Sequence, residues 1–453
     1  MGAIRVDVVV AARGDWRAVV RRLRDQTCAP ARVIVESAEP GGDLPADVVV
    51  VAPGRGVATA RADYVAVLDE RDHPGPAWLA GVADAAASGA DAVRWGVLTV
   101  GADGIVRDVV IPPGSGAVTG RPRAGIALRR TALTADGRIR PGTRAAGIAR
   151  LLVTRRGAPA PAAPPSGGDR PVVSVVLPVR NAAATLGAQL AALARQDYPG
   201  RWELVVVDNG SADRSMALAE EARPRLPALR TISAPTARSA GVARNAGVRV
   251  AAGDLLLFCD ADDVADPGWI SAMVGALADA DLVGGALDCS TLSPAFMDEQ
   301  PVPLPAQGEP LSFARSANCA VRREVLAAVG GWAEHFPGGA GEDVELSWRV
   351  QLAGYRLGYA PHARMGYRLR PTLLGVARQK WAYGLTGALL YRTYRNAGYR
   401  RRPWREVLFS WFWMVRHLPD VGRPGTPRRR WIRYAARLAG FAAGSVRHRT
   451  AYF

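Results

Sequence analysis

Three groups of carboxylates have spacings that suit chemistry. Asp260-Ala261-Asp262-Asp263 follows directly on an unbroken apolar run, Leu255 to Cys259. Two acids one residue apart at the end of a buried strand can grip a hard divalent cation, which would neutralise phosphate oxygens. Burying three such acids without a counter-ion costs several kcal/mol. The plain alternative is a solvated turn, which Pro267-Gly268 just beyond would suit. Asp208 ends a second apolar run, Leu204 to Val207, and Asn209-Gly210-Ser211 turns the chain after it. A carboxylate there can accept hydrogen bonds from a base or ribose, or only close an Asx-turn or cap a helix. The third group is Gly338-Gly339-Ala340-Gly341-Glu342-Asp343, which leads an acidic pair into a helix whose Val344, Trp348 and Leu352 repeat every four residues. Acids at a helix start suit its dipole. Behind a flexible glycine loop they can also supply a general base for an incoming hydroxyl.

The elements that must carry these groups alternate. Val172 to Leu177 reads as a strand, 183–194 as a helix, Leu204 to Val207 as a strand, and a further helix runs through Glu221. A strand near Arg230-Thr231-Ile232, a helix around 240–252 and the strand Leu255 to Cys259 follow. Such alternation implies an α/β fold with a mostly parallel sheet and helices on both faces. Open sheets of this kind bind ligands beyond the carboxyl ends of their strands, where Asp208 and Asp260 fall.

The first 153 residues read as a worn copy of the same pattern. Ile4 to Ala12 parallels Val172 to Val179, Gln26 parallels Gln196, and Val33 to Ser37 lies over Val205 to Asn209. Asp63, Asp69, Asp72, Pro76 and Trp78 match Asp254, Asp260, Asp263, Pro267 and Trp269 at one constant offset, and Ala127 to Arg130 echoes Ala320 to Arg323. So many spaced matches indicate a tandem duplication. The copy lacks the chemistry: Asp69-Glu70-Arg71-Asp72 puts an arginine where a cation would bind, and Arg144-Ala145-Ala146-Gly147, set against the acidic pair, has no carboxylate. Between the copies lies a Pro/Ala/Gly linker, 154–171, whose prolines break both helix and sheet.

Composition bounds the partners. The chain has 453 residues, 49% of them hydrophobic and 22% charged, enough for two or three packed domains and too apolar for a disordered chain. Its net charge of +17 is unevenly spread, since Arg364 to Phe453 alone carries +18 and the rest sums to −1. This tail also holds Trp381, Trp404, Trp411, Trp413 and Trp431, five of the twelve tryptophans. Arginine mixed with indole and phenyl rings on short helices suits an anionic membrane surface. Phosphates of a nucleic acid would attract the same side chains, but no nucleic-acid-binding motif accompanies them, so no nucleic-acid partner is expected. No stretch reaches the ~18 to 20 apolar residues of a membrane span. The opening Met1 to Asp7 reads as a strand rather than a secretory leader. Cys28, Cys259, Cys289 and Cys319 are spaced like reduced thiols, not like a zinc or disulfide framework.

LPVRN (Leu177 to Asn181), VVVDNGS, GVARNAG (Gly241 to Gly247), FCDADD and GEDVELSWR, in this order, resemble the family 2 glycosyltransferases of GT-A fold. The resemblance covers about 172–370 and, more weakly, the first copy. It implies tandem GT-A domains, Rossmann-like with mostly parallel sheets, followed by a basic, aromatic-rich helical tail. It further implies that Pro178 and Asn181 line a nucleotide cleft, that Asp208 faces the base, and that Arg244 and Asn245 lie close to the nucleotide. Asp260 and Asp262 would carry Mg²⁺ or Mn²⁺ on a sugar-nucleotide diphosphate, so Asp260 also belongs to the donor site. Of the pair Glu342 and Asp343, Asp343 would be the catalytic base, and attack would invert the anomeric carbon. Arg378 to Gly384, with Lys380, the one lysine in the chain, falls where relatives place a basic, tryptophan-containing element. Two departures count. Gly366 stands where many relatives have a metal-binding histidine, and His362 four residues earlier reads as structural or surface. The Q-x-x-R-W motif and the membrane spans of processive relatives are missing, so one sugar per acceptor is expected.

The expected organisation is thus a non-catalytic GT-A-like domain (1–153) used for packing or partner binding, the linker, a catalytic domain (172–370) and an amphipathic helical region (371–453) that meets a membrane surface or a protein partner. The expected activity is metal-dependent transfer from a nucleotide-sugar, a UDP-sugar favoured, to a lipid-linked or polysaccharide acceptor. The expected location is cytoplasmic, peripheral to the inner face of the membrane. Two rivals stand beside it: an inactive carbohydrate-binding or scaffold protein, and a sugar nucleotidyltransferase. The latter needs a Gly-rich basic phosphate loop that Val179-Arg180-Asn181-Ala182 does not provide.

Overall fold

A computed structural model describes residues 4–12, 16–24, 26, 28–38, 45–53, 55–69, 72–74, 78–87, 90, 92–101, 106–110, 116–117, 126–133, 144–156, 171–234, 239–295, 301–305, 311–336 and 340–452. Two compact units emerge: residues 1–160 with the short stretches 328–330 and 349–355, and the remainder of 161–453.

In the first unit, β1 (Val6–Ala11), α1 (Arg17–Arg24), β2 (Arg32–Glu36), β3 (Val48–Val51), α2 (Gly56–Thr59), β4 (Tyr64–Asp69), β5 (Asp72–His73) and α3 (Trp78–Ala87) come first. After them come β6 (Ala92–Gly101), β7 (Val106–Val110), β8 (Gly116–Ala117), β9 (Ile126–Arg129) and β10 (Arg144–Arg156). The strands order β3-β2-β1-β4-β9-β6-β10-β5, with β7 on β6 and β8 on β10. In the second unit the elements are β11 (Val173–Val179), α4 (Leu186–Leu193), β12 (Trp202–Asp208), α5 (Ser215–Ala222), β13 (Leu229–Ser233), α6 (Ala240–Val250), β14 (Leu255–Cys259), β15 (Val264–Ala265) and α7 (Trp269–Ala276). They continue with β16 (Leu282–Asp288), β17 (Asn318–Arg322), α8 (Arg323–Ala328), α9 (Glu342–Leu352) and β18 (Leu357–Gly366). The second sheet orders β13-β12-β11-β14-β17-β16-β18-β15, position for position the order of the first.

The duplication therefore extends from sequence to topology. The central strands of the second sheet are mostly apolar because both of their faces are covered: β14 is buried along its whole length, as are five successive residues of β11. Trp78 and Trp269 open equivalent helices and are buried to the same degree. Gln26 accepts from the Leu79 amide and Gln196 from the Ile270 amide, both at 3.0 Å. Beneath each first strand a buried polar residue ties the sheet to the loop before its fourth strand. In the first unit Asp7 accepts from the Ala62 amide (3.0 Å) and pairs with Arg32 (2.9 Å). In the second, Ser174 accepts from the Gly253 amide (2.7 Å) and donates to Glu203 (2.7 Å). The architecture is the same while the charges are exchanged.

Two alignments drawn from the sequence shift. The ladders pair Asp7 with Arg32 and Ser174 with Glu203, so Val33 to Ser37 lies over 204–208, one residue from the expected register. Because strand side chains alternate, Glu36 thereby takes the face opposite to Asp208, and its Oε1 accepts from Gly56 at the start of α2 (2.6 Å). Arg144 to Gly147 opens β10, the counterpart of β18, and does not sit at a helix start equivalent to the acidic pair. β10 also runs to Arg156, three residues into the expected linker, and the rest of that linker, 157–170, lies outside the described residues, as do Glu70, Arg71, Gly338 and Gly339.

The tail forms α10 (Leu373–Tyr394), α11 (Trp404–Arg416) and α12 (Thr426–Arg447). α10 and α12 pack backbone to backbone through Gly384, Gly440 and Gly444; a Cβ on Gly444 would stand 2.7 Å from the Leu385 carbonyl. α10 also grips the body of the second unit. Thr386 Oγ1 donates to the Ala340 carbonyl (2.9 Å), and the Tyr394 hydroxyl to Glu345 Oε1 (2.7 Å). Among the described residues, no helix is long and apolar enough to cross a membrane.

Candidate active site

β14 ends at Cys259, and the loop that follows brings Asp260, Asp262 and Asp263 together, with carboxylate oxygens all within 4.8 Å of one another. The loop is held from behind. Gln189, buried on α4, donates to the Asp260 carbonyl (3.2 Å) and accepts from the Ala265 amide (2.9 Å). Thr185 Oγ1 donates to the Ala261 carbonyl (3.2 Å). Asp263 is buried; its one oxygen accepts from the Arg368 amide (2.9 Å) and its Oδ2 has no hydrogen-bond partner. Burial, and then the neighbouring Asp260 and Asp262, push its pKa well above the usual carboxylate range. Burial and Asp260 likewise raise Asp262, against the opposing pull of Arg370, which donates to it at 2.9 Å. Three clustered hard oxygen donors, one of them orphaned and two resisting ionisation, are a donor set that a divalent cation fits.

Arg244 on α6 joins this cluster to the acidic pair. It is buried, and its Nη2 donates to Asp260 (3.1 Å) while its Nη1 donates to Glu342 Oε1 (2.9 Å). Its guanidinium carbon stands 4.8 Å from the ring centre of Trp332. Glu342 and Asp343 begin α9, where Gly341, at φ 93°, lets the chain turn into the helix. Their environments differ. Glu342 is buried, one oxygen spent on Arg244 and the other without a partner. Asp343 is partly exposed; its Oδ1 accepts from the Val344 amide (2.9 Å) and its Oδ2 from the Ser316 amide (3.4 Å). Burial raises both pKa values; Arg244 pulls Glu342 back while Asp343 pushes it up, and the Val344 amide and Arg244 pull Asp343 back. Asp343 is thus the acid an outside hydroxyl could reach, and Glu342 the one that fixes the helix to Arg244.

The remaining sequence candidates divide. Pro178 lies in β11 beside the β12 end. Asn181 holds a left-handed backbone, φ 49°, and its Oδ1 accepts from the Ala212 amide (2.8 Å), stitching the first strand's end to the loop after Asp208. Asp208 accepts from the Ser211 amide three residues on (2.8 Å), a capping bond that aims the loop and leaves the residue half-exposed. Asn245, expected close to the nucleotide, is engaged with the protein. Its amide nitrogen donates to the Trp332 carbonyl and to Glu334 (both 2.8 Å) and its oxygen accepts from the Trp332 amide (2.9 Å), so its polar atoms are taken up in anchoring the Trp332 loop. Arg244 is likewise committed to two protein acids. His362 is exposed on β18. Lys380 stands over the Tyr383 ring at 4.8 Å, and burial and then Asp343 shift the Tyr383 hydroxyl upward. The sequence reading passed over Gln189, Arg368 and Arg370. A single amide in the apolar helix LGAQLAAL was the available signal for the first, and the R-L-R run just past β18 for the others.

Residues 174–329 match the model of Glycosyl transferase family 2, and residues 295–438 that of Glycosyl transferase family group 2. The part of the chain from 174 to 438 therefore belongs to the family 2 glycosyltransferases. Over 198 residues the chain is 29% identical to the glycosyltransferase AglE of Haloferax volcanii, covering 42% of this chain and 64% of that protein. Over 300 residues it is 28% identical to the pre-mycofactocin glycosyltransferase of Mycobacterium tuberculosis, covering 62% of this chain and 61% of that one. The chain thus spans somewhat under two thirds of the length of these relatives. Among solved structures, the mannosyltransferase PcManGT from Pyrobaculum calidifontis overlays with a TM-score of 0.43 at 19% identity, covering 63% of this chain and 90% of that one.

Proposed function

We propose that this chain is a metal-dependent, inverting glycosyltransferase. It moves a single sugar from a nucleotide-sugar, a UDP-sugar favoured, to a hydroxyl of a lipid-linked or polysaccharide acceptor at the cytoplasmic face of the membrane. The observation that carries the reading is the linked acid site: three carboxylates around an orphaned oxygen, braced through Arg244 to a second acidic pair. Family models over the same residues, together with glycosyltransferase relatives, support the activity.

Asp260 and Asp262, with Asp263 beside them, would hold Mg²⁺ or Mn²⁺, which when bound would offset the charge of the leaving diphosphate. Arg370, half-exposed and paired with Asp262, is a cation placed to follow phosphate oxygens once that carboxylate is otherwise engaged. Pro178, Asn181 and Asp208, at the carboxyl ends of β11 and β12, supply the nucleotide side of the crevice. Asp343 accepts the proton of the acceptor hydroxyl as the oxygen attacks, and Glu342 with Arg244 keeps it at a fixed distance from the Asp260 loop. The N-terminal unit is proposed to be non-catalytic, since Arg71 stands between Asp69 and Asp72 where a cation would bind.

Calorimetric titration of UDP with and without Mn²⁺ tests the site, on wild type and Asp262→Ala. Manganese-dependent binding that the variant loses is expected, and release of free sugar from one of a panel of UDP-sugars should accompany it. No binding of UDP, GDP or deoxythymidine diphosphate would favour the scaffold alternative.

A further inference from the structure

Helix α11 has one face packed and the other bare. Ser410 and Met414 are buried, Trp413 stacks on His417 (4.4 Å) and on Tyr434 (4.6 Å), and the Trp431 indole donates to the Met414 carbonyl (3.1 Å). Away from these contacts, Trp404, Leu408, Trp411, Phe412 and Val415 are 67, 58, 54, 65 and 71% exposed. At 100° per residue these five fall within an arc of about 100°, a continuous apolar stripe along the helix. Arg405 and Arg416 flank the stripe on one edge, and the Arg405 guanidinium carbon stands 5.5 Å from the Trp404 ring centre. Arg400, Arg401 and Arg423 lie exposed at its two ends.

A contiguous stripe of large side chains needs a cover. The helix has 13 residues, about 20 Å at the usual rise, so it cannot span a bilayer. A second copy docked on this face would bring two regions, each carrying +18, against one another. An anionic lipid surface satisfies both parts at once: indoles and aliphatic chains reach the acyl boundary while guanidinium groups meet phosphates.

We infer that α11 lies in the plane of an anionic bilayer and inserts Trp404, Leu408, Trp411, Phe412 and Val415, with Arg405 and Arg416 on the headgroups. This deepens the membrane-face part of the proposed function by naming one helix face, while α10 and α12 serve as its support. The binding itself requires no sugar transfer.

The test is flotation of the full chain with phosphatidylcholine vesicles, with and without phosphatidylglycerol, on wild type and on the double variant Trp411→Ser/Phe412→Ser. Both positions are exposed, so Mn²⁺-dependent UDP binding should be the same in both proteins and serves as the check of folding. Wild type is expected to float only with phosphatidylglycerol, and the variant to bind at least tenfold more weakly. In brominated phosphatidylglycerol vesicles, tryptophan quenching should fall in Trp404→Phe. The inference is overturned if wild type stays at the bottom of the gradient, or if the variant floats as well as wild type. A lipid-free wild-type dimer that the variant turns into a monomer would also overturn it, assigning the stripe to a second copy. Failure to float with UDP binding intact rejects this inference alone; loss of UDP binding in wild type rejects the transferase reading instead.

Discussion

Asp343 can take a proton only while ionised, and burial makes ionisation harder for it and for its neighbour Glu342. The two titrate as a pair. kcat/KM should therefore fall as pH drops through a raised value, with the acid limb above the ordinary carboxylate range of about 4. Initial rates across pH will show it. Asp343→Asn is expected to cut turnover by about 10² to 10⁴ while leaving Mn²⁺-dependent UDP binding intact; equal loss of binding and rate would make Asp343 a structural acid. The acids proposed to hold the metal have their own pH signature. Asp262 and Asp263 bind protons more readily folded than unfolded, so the stability they contribute is present below their unfolded pKa and is lost as pH rises through the raised folded values. The gain in Tm on adding Mn²⁺ should accordingly grow between about pH 5 and about pH 7.5. A gain that ignores pH would take these two residues out of the site. Asp260, Asp262 and Asp343 were legible in the sequence because each follows a strand or opens a helix. Arg370 was not, because it meets Asp262 across 108 residues, a pairing that only the folded sheet creates.

At the scale of elements, the tail is tied to the site more closely than its composition suggested. Taken by charge, 371–453 looked like one membrane-facing appendage. In the fold, α10 holds the Ala340 loop and Glu345, and α12 holds α10 through paired glycines. Gly444→Val places branched carbons against the Leu385 backbone, and such overpacking typically costs about 1–3 kcal/mol. The expected outcome is a lower Tm by calorimetry, together with a lower kcat because the loop before Asp343 loses its support. An unchanged kcat would separate α10 from the chemistry. Strand and helix positions in the second unit were largely legible: Leu255 to Cys259 emerged as read, since an unbroken apolar run between Asp254 and Asp260 allows little else. The glycine seam was hidden, because its spacing is meaningful only once two helices separated in the chain by α11 are laid together.

At the scale of the whole molecule, two sheets of identical order divide unequal work. Among the described residues, the group of three carboxylates that could hold a metal lies in the second, so calorimetry should find one nucleotide bound per chain, and a stoichiometry of two would bring the first unit into catalysis. The exchanged polar pairs beneath the first strands have a consequence for how such a chain reaches its native state. Two copies of one fold on a single chain can trade strands while folding. If β1 docked in place of β11, Asp7 would come to rest against Glu203 with only the exposed Arg230 to balance two acids; the reverse exchange would leave Arg32 beside an uncharged Ser174. Each sheet thus rejects the other's leading strand by charge, and two near-identical topologies can be synthesised in tandem with little cross-pairing between them.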